Sequence, residues 1–462
     1  MTRQILILGG NLSGLVTAYR LIPFGFHLTI LENHPDGHLP CPIDSTPTPT
    51  GLQASSTPLS TEEAGIPLIL HGFYHATWSF LHDLGVQWPL HTFSPIDLEF
   101  LPEGGKPVSL PRTPWLTSLH PLARFAFFKG LSWSDRWNVI NFLEKKWEGE
   151  LPADHNPDTQ PVEAWLTSAK QSAQSLTSFW NPLSQFFLGC DVSQASLGSF
   201  LEILSRFWLG KSRDSETFLS PSATLLLLEQ ELKRVLLAKG VQFCRQETIT
   251  HIPADTAGIQ AIECGRGEPL RAQAYISTLA PQNLLPLLPE RALARFSYFS
   301  SMAQLQEVSG TAIQFTLHDS LTLSRLILSS WPFVWVASQP VKEPHSSKTV
   351  ITCVTFRNDA LRKPTDEWLQ NTAWNHIQQL FTIPPTHTQE SCEPRIIRKA
   401  YHCIPSQIGS RTSRPLSKSP IPNLFLAGSW TATNLPSSLE STILSANACS
   451  QAVAESFYGH SH

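Results

Sequence analysis

The chain has 462 residues and a mass of 51.4 kDa, enough for a large core or for two domains that share one. Its 37 carboxylates against 33 lysines and arginines give a net charge of −4 and a pI of about 6.5, which excludes the strongly basic balance of a nucleic-acid binder. Charged residues are 15% of the chain and hydrophobic residues 41%, the opposite of what disorder requires.

The first predicted element is the apolar run at 5–8, short and unbroken, as in a strand buried on both faces of a parallel sheet. Gly9, Gly10, Asn11, Leu12, Ser13 and Gly14 follow it. Leu12, Leu15, Val16 and Tyr19 then fall on one face of a helix, which Pro23 and Gly25 close. A second strand over 28–31 ends at Glu32, completing a βαβ unit of dinucleotide-binding length. Gly9 suits the tight turn out of the strand, and Gly14 allows close helix–strand packing. The helix N-terminus offers N–H groups and positive dipole to a pyrophosphate, and Glu32 can accept hydrogen bonds from an adenosine ribose. Asn11 replaces the middle glycine of G-x-G-x-x-G, where its side chain crowds a phosphate although asparagine tolerates left-handed backbone. The alternative is the βα turn of any α/β protein.

Residues 40–63, rich in Pro, Ser and Thr, read as a loop, as do 405–422. Over 123–147 the chain gathers Arg124, Phe125, Phe127, Phe128, Lys129, Trp133, Trp137, Lys145, Lys146 and Trp147. Ser132 can cap a helix with Trp133, Trp137 and Ile140 on one face. Either that helix is interfacial or the face packs into the core between solvated lysines. Lys399 reads as a solvated surface residue. Near the far end, 424–427 is another buried-strand run halted by Gly428 and Ser429. Ser437 and Glu440 then have capping-box spacing ahead of a helix with Leu439, Ile443, Ala446 and Val453 on its apolar face.

The eight cysteines include no Cys-x-x-Cys, so free thiols are expected, and His402–Cys403 alone makes no metal site. No window approaches the ~18 apolar residues of a membrane span, and the opening apolar run is too short for a signal peptide. The expected location is cytoplasmic, with contact at a membrane surface left open.

An N-terminal dinucleotide unit ending in Glu32, with Asn423-Leu424-Phe425-Leu426-Ala427-Gly428-Ser429-Trp430-Thr431 and a Pro436-x-x-Leu439-Glu440 helix at the far end, resembles the flavin amine oxidase and carotenoid desaturase superfamily. Within it, the likeness is to the squalene-associated desaturases, the hydroxysqualene dehydroxylases. His71-Gly72-Phe73-Tyr74 with Phe80-Leu81-His82-Asp83-Leu84-Gly85, Phe179-Trp180-Asn181-Pro182-Leu183, and the stretch 274–281 are similar to interior family motifs. The resemblance runs from residue 5 to about residue 453. It implies an α/β fold: a discontinuous Rossmann-like FAD-binding domain (1–90, 215–290 and 390–462) with an inserted α+β substrate domain (91–214 and 291–389).

Carried onto matching positions, it implies that Gly9, Gly10 and Gly14 border the FAD pyrophosphate, with Asn11, Leu12 and Ser13 in the same turn. Glu32 would take the adenosine ribose and Ile249 lie near the adenine. Gly428 and Ser429 would flank the ribityl region, and the helix starting at Ser438 and Leu439 would point at the flavin pyrimidine. Departures from the family pattern are Asn11, the 33–38 stretch without G-G-R, Ile66-Pro67-Leu68 for G-Q-H, Ser429 for an acid and Ser441 for a glycine. Three readings follow. The first is reductive dehydroxylation of hydroxysqualene to squalene for hopanoid synthesis, with no catalytic acid identified. The second keeps FAD but acts as a carotenoid-type desaturase or amine oxidase. The third is a flavin-free relative with a binding or scaffold role. An isoprenoid substrate would be apolar and would call for a membrane entrance, for which 123–147 is the candidate.

Overall fold

The computed structural model describes residues 3–33, 65–85, 95–110, 123–148, 156–220, 224–246, 248–265, 268–318, 324–330, 332–342, 347–356, 364–384 and 387–459. The predicted loop at 40–63 lies outside them. In chain order, the elements that build the site begin with β1 (Gln4–Leu8), α1 (Leu12–Leu21), β2 (His27–Asn33), β3 (Ile69–His71) and α2 (His75–Asp83). Next come β4 (Pro95–Ile96), β5 (Leu98–Phe100), β6 (Val108–Leu110), α3 (Ala123–Phe127), α4 (Trp133–Trp147), α5 (Asn181–Leu188) and α6 (Leu197–Trp208). After β7 (Thr217–Leu219), α7 (Thr224–Ala238), β8 (Gln242–Gln246), β9 (Ile249–His251) and β10 (Ala274–Ser277) come β11 (Val308–Leu317) and β12 (Arg325–Leu328). The chain ends with β13 (Trp335–Lys342), β14 (Ser347–Thr355), β15 (Arg395–Cys403), β16 (Leu424–Leu426) and α8 (Leu439–Tyr458).

Five strands form a wholly parallel sheet in the order β16-β10-β1-β2-β8. Its central strand alternates between two cores. Ile5 and Ile7 face α1, α7 and α8 through Leu15, Leu232 and Ile443, whereas Leu6 and Leu8 pack with Ile249, Ile252 and Leu426 on the other side. Being buried on both faces explains why these strands read as continuous apolar runs. The parallel arrangement also brings every strand's C-terminal end to one edge. Past those ends the ladder continues: Gly9 N–H donates to Leu31 O at 3.0 Å, Thr278 N–H to Leu8 O at 3.0 Å and Ala427 N–H to Ser277 O at 3.0 Å. The turn at the start of the chain and the turn before α8 are thereby neighbours on a single edge, separated only by β10.

A seven-stranded sheet, β15-β11-β14-β13-β12-β5-β6, is antiparallel except where β12 meets β5. Strand β15 falls in the 390–462 segment, yet it hydrogen-bonds to β11. It belongs to this sheet because its pairing edge faces β11 rather than any strand of the parallel sheet. A three-stranded sheet, β3-β7-β4, links the two halves.

Helix α4 begins at its cap as expected, Ser132 Oγ accepting from Asp135 N–H at 3.1 Å. Its core face, however, carries Asp135 and Val139, while Trp133 and Trp137 are 72% and 58% exposed. The core-face reading of the two tryptophans is thus overturned. Lys399 is exposed, with φ +55 where the β11–β15 register shifts.

Candidate active site

The glycine turn has the tightness its spacing suggested. Gly9 takes φ +116, and a Cβ there would lie 2.3 Å from Thr278 Oγ1. A Cβ on Gly14 would lie 2.1 Å from the Gly9 carbonyl oxygen, so only glycine lets α1 come this close to β1. Gly10 faces Glu32, whose Cγ would be 2.9 Å from an added Cβ.

Asn11 behaves differently from expectation. Its backbone is extended, φ −72 and ψ 173, so left-handed tolerance plays no part. The side chain folds back as the N-cap of α1: Oδ1 accepts from Gly14 N–H at 3.1 Å and Nδ2 donates to Thr278 O at 3.2 Å. The N–H groups of Leu12 and Ser13, which no helix can satisfy internally, remain directed along the turn. Crowding of a phosphate is thus relieved because the asparagine turns toward β10.

Glu32 lies one residue before the end of β2, which runs a residue past the expected stop, and its Oε1 forms a 2.6 Å ion pair with Lys233 of α7. Sequence reasoning missed this lysine, because only the packing of α7 on the sheet brings the two together. Ile249 is buried with Leu8 and Leu31 on the face away from α1.

At the far turn, Gly428 N–H donates to Ser445 Oγ at 2.9 Å, and Thr431 Oγ1 donates to the same Ser445 Oγ at 2.7 Å. Arg414 is buried and clamps the next peptide, donating to Ser429 O at 2.7 Å and to Ile404 O at 3.3 Å. Burial lowers its pKa to about 10. No local sequence signal marked this arginine.

The expected Ser437–Glu440 capping box is not formed. Ser438 is the N-cap of α8, accepting from Ser441 N–H at 3.1 Å, and Ser437 Oγ binds the Ile404 backbone instead. Glu440, 2% exposed, reaches across to cap α2: its carboxylate accepts from Ala76 N–H at 2.9 Å, Thr77 N–H at 2.8 Å and Thr77 Oγ1 at 2.7 Å. The first turn of the neighbouring helix is nearer than the carboxylate's own N-cap.

Ser438 and Leu439 open onto a cleft lined by β3 and the turn after it, by α5, and by Trp335 of β13 and Cys403 of β15 from the seven-stranded sheet. Phe73, Tyr74, Phe186, Phe187, Trp335 and Phe356 supply its aromatic wall, and among the described residues no Asp, Glu, Lys or Arg lines it. His71 also lines it, and its Nδ1 lies 3.2 Å from Thr217 Oγ1. The imidazole stacks on Phe73 at 5.5 Å and is edged by Tyr74, Phe186, Phe187 and Phe207. Burial pushes its pKa down to about 3, so it is neutral at physiological pH. Cys403, another lining residue, is raised to about 12 by burial first, then by Glu307.

These donors fit an extended dinucleotide. Gly9, Gly10 and Gly14 let the turn close against Thr278, Glu32 and the Gly9 carbonyl where no Cβ would fit, two helix N-termini face the same edge, and a carboxylate stands beside Gly10. Among the described residues no His, Cys, Asp and Glu cluster has metal-binding geometry, the seven cysteines are free thiols, and no helix is long and apolar enough to cross a membrane.

A parallel sheet with a glycine turn and a capped helix converging on its C-terminal edge defines a Rossmann-like dinucleotide-binding oxidoreductase fold. The family of flavin-containing amine oxidoreductases matches residues 66–454, and the chain belongs to that family. It is an oxidoreductase whose cofactor is FAD. The 15-cis-phytoene desaturase of Glycine max is 23% identical over 219 residues, covering 44% of this chain and 37% of that one. The chain thus matches under half the length of that plant relative. A probable zeta-carotene desaturase of Synechococcus elongatus is 21% identical across 98% of both chains. Cyclohexylamine oxidase from Brevibacterium oxydans superposes with a TM-score of 0.63 at 15% identity, covering 99% of this chain and 100% of that one. An oxidoreductase from Methanosarcina mazei gives 0.64 at 16%, covering 98% and 100%. At these identities the two structures speak for the fold alone.

Proposed function

We propose that the protein oxidises an apolar polyisoprenoid, introducing a carbon–carbon double bond as carotenoid-type desaturases do. The observation that carries this reading is the cleft at the N-terminus of α8, whose described lining residues are mostly aromatic and aliphatic and include no Asp, Glu, Lys or Arg. A hydrocarbon chain gains roughly 25 cal/mol per Å² of apolar surface on entering such a site. The relatives named for phytoene and zeta-carotene point the same way.

FAD would supply the two-electron redox chemistry. The Leu12 and Ser13 N–H groups and the Gly9, Gly10, Asn11 and Gly14 turn would hold its pyrophosphate, Glu32 the ribose, and Ile249 would lie toward the adenine. Gly428 and Ser429 would border the ribityl chain, with Arg414 fixing the Ser429 peptide. The Ser438–Leu439 end of α8 would present the positive end of its dipole to the pyrimidine. We retain the two-part domain division, with β15 assigned to the substrate part.

Reductive dehydroxylation of hydroxysqualene is the less favoured reading, because the relatives named for phytoene and zeta-carotene are desaturases. Anaerobic mixing of the FAD-loaded protein with phytoene or zeta-carotene in detergent should bleach the visible flavin band and extend the polyene spectrum. Bleaching by primary amines alone, or squalene formed from hydroxysqualene by the reduced protein with polyenes inert, would replace this reading.

A further inference from the structure

The most exposed large aromatic side chains described in the molecule lie together. Phe127, Trp133 and Trp137 are 60%, 72% and 58% exposed, at the end of α3 and on the first two turns of α4. They are held outward by a well-packed platform. Phe125, Phe128, Leu131 and Val139, on the opposite faces, are at most 4% exposed and share a core with Phe73, Tyr74 and Trp335 of the cleft wall. Arg136 pins the α3–α4 turn, donating to Leu131 O at 2.8 Å and Ala126 O at 3.1 Å. Asp135 is buried and accepts from Ser172 N–H at 3.1 Å and Ser172 Oγ at 2.8 Å. The platform is therefore fixed from both sides while its aromatic rings point into solvent.

Charge favours one kind of occupant. Segment 123–140, from α3 through the first two turns of α4, carries Arg124, Lys129 and Arg136 against Asp135, a balance of 3 − 1 = +2. The whole chain is −4, so the remainder is −4 − 2 = −6. An anionic surface would be approached through this segment and repelled elsewhere. Tryptophan is the side chain best suited to the headgroup layer, where its ring meets acyl chains and its N–H meets water. Exposed Glu144 and Glu148 continue the Trp133–Trp137 stripe two turns further on, which limits the contact to the start of α4.

We propose that Phe127, Trp133 and Trp137 seat the protein on the headgroup layer of an anionic lipid bilayer. The helix start enters the interface and the later turns, with exposed Glu144 and Glu148, stay in water, placing the substrate half of the molecule against the phase that dissolves its substrate. The choice of a bilayer rather than a protein rests on the polyisoprenoid reading above. The shared core of platform and cleft supplies the structural link.

Flotation of the full chain with phosphatidylcholine vesicles, and with vesicles containing phosphatidylglycerol, tests this without any substrate. The wild type should float with the anionic vesicles, more weakly at high salt, and its tryptophan emission should be quenched by brominated lipid. The combined variant Phe127→Ser, Trp133→Ser, Trp137→Ser should partition roughly tenfold less or lower. Leu237→Ser, which removes a 59%-exposed leucine from α7, should float as the wild type does. A wild type that stays in solution, equal loss in the Leu237 control, or loss of self-association in sedimentation with flotation intact would overturn the proposal. Flotation without turnover of any polyene would remove the substrate reading and leave the lipid contact standing.

Discussion

His71 shows how a single residue is set by surroundings that lie far away in the chain. Aromatic rings from the β3–α2 turn, α5 and α6 exclude water from its imidazole, and burial lowers its pKa from 6.5 to about 3. In the unfolded chain the ring takes a proton near pH 6.5. Between pH 6.5 and 3 the unfolded state therefore binds more protons, and stability falls as pH falls. In urea unfolding at pH 7 and pH 4.5, the wild type should lose about 2–3 kcal/mol more than His71→Phe, which keeps a ring in the cage. Parallel losses would show that the imidazole charges freely in the folded state. His376, lowered by burial as well, leaves the variant some acid sensitivity. The residue stood inside a recognisable motif, yet nothing local shows which side of a three-residue strand meets a cleft. Gly14 was legible for the opposite reason: its neighbour, Gly9, is five positions away. Asn11 was half legible, since its cap on Gly14 is local but its second bond reaches a carbonyl 267 residues on.

At the scale of elements, periodicity identified the strands and helices around the cofactor edge, because burial on both faces or along one stripe leaves a pattern. It could not say where a helix terminus finds its partners. Glu440 has the spacing of a local cap and serves α2 instead, tying the end of the chain to the start of the cleft wall. Glu440→Ala leaves two buried N–H groups and a hydroxyl without their acceptor and should cost about 2–4 kcal/mol. Glu440→Gln, which keeps one accepting oxygen, should cost less. Thermal unfolding of both variants measures this, and equal, small losses would make the contact incidental. Helix α4 carries a related lesson. Its spacing defined an aromatic face, but spacing is silent on whether that face looks inward.

For the whole molecule, the discontinuous cofactor fold was legible because its two ends carry dense glycine and cap signals. The seven-stranded sheet was not, because its strands lie in long stretches without such punctuation and pair across distant segments. The cofactor edge draws on β1, β10 and β16 together, so FAD should stabilise the molecule as a unit. At about a hundredfold excess over Kd the gain is roughly 2.7 kcal/mol, read in calorimetry as an upward shift of the transition. Gly14→Ala, whose Cβ meets a backbone oxygen, should lower the starting Tm and abolish the shift. A full shift in that variant would mean that FAD is held elsewhere.

The position of β16 at the end of the parallel sheet, joined to β10 and followed at once by α8, has a consequence for biosynthesis. A ribosome completes β1 and its glycine turn long before β16 and α8, which form the other border of the flavin crevice. Until those two emerge, the growing polypeptide presents an unpaired β10 rim and half a binding groove. A translation product that stops short of β16 would therefore be colourless and prone to strand-edge aggregation.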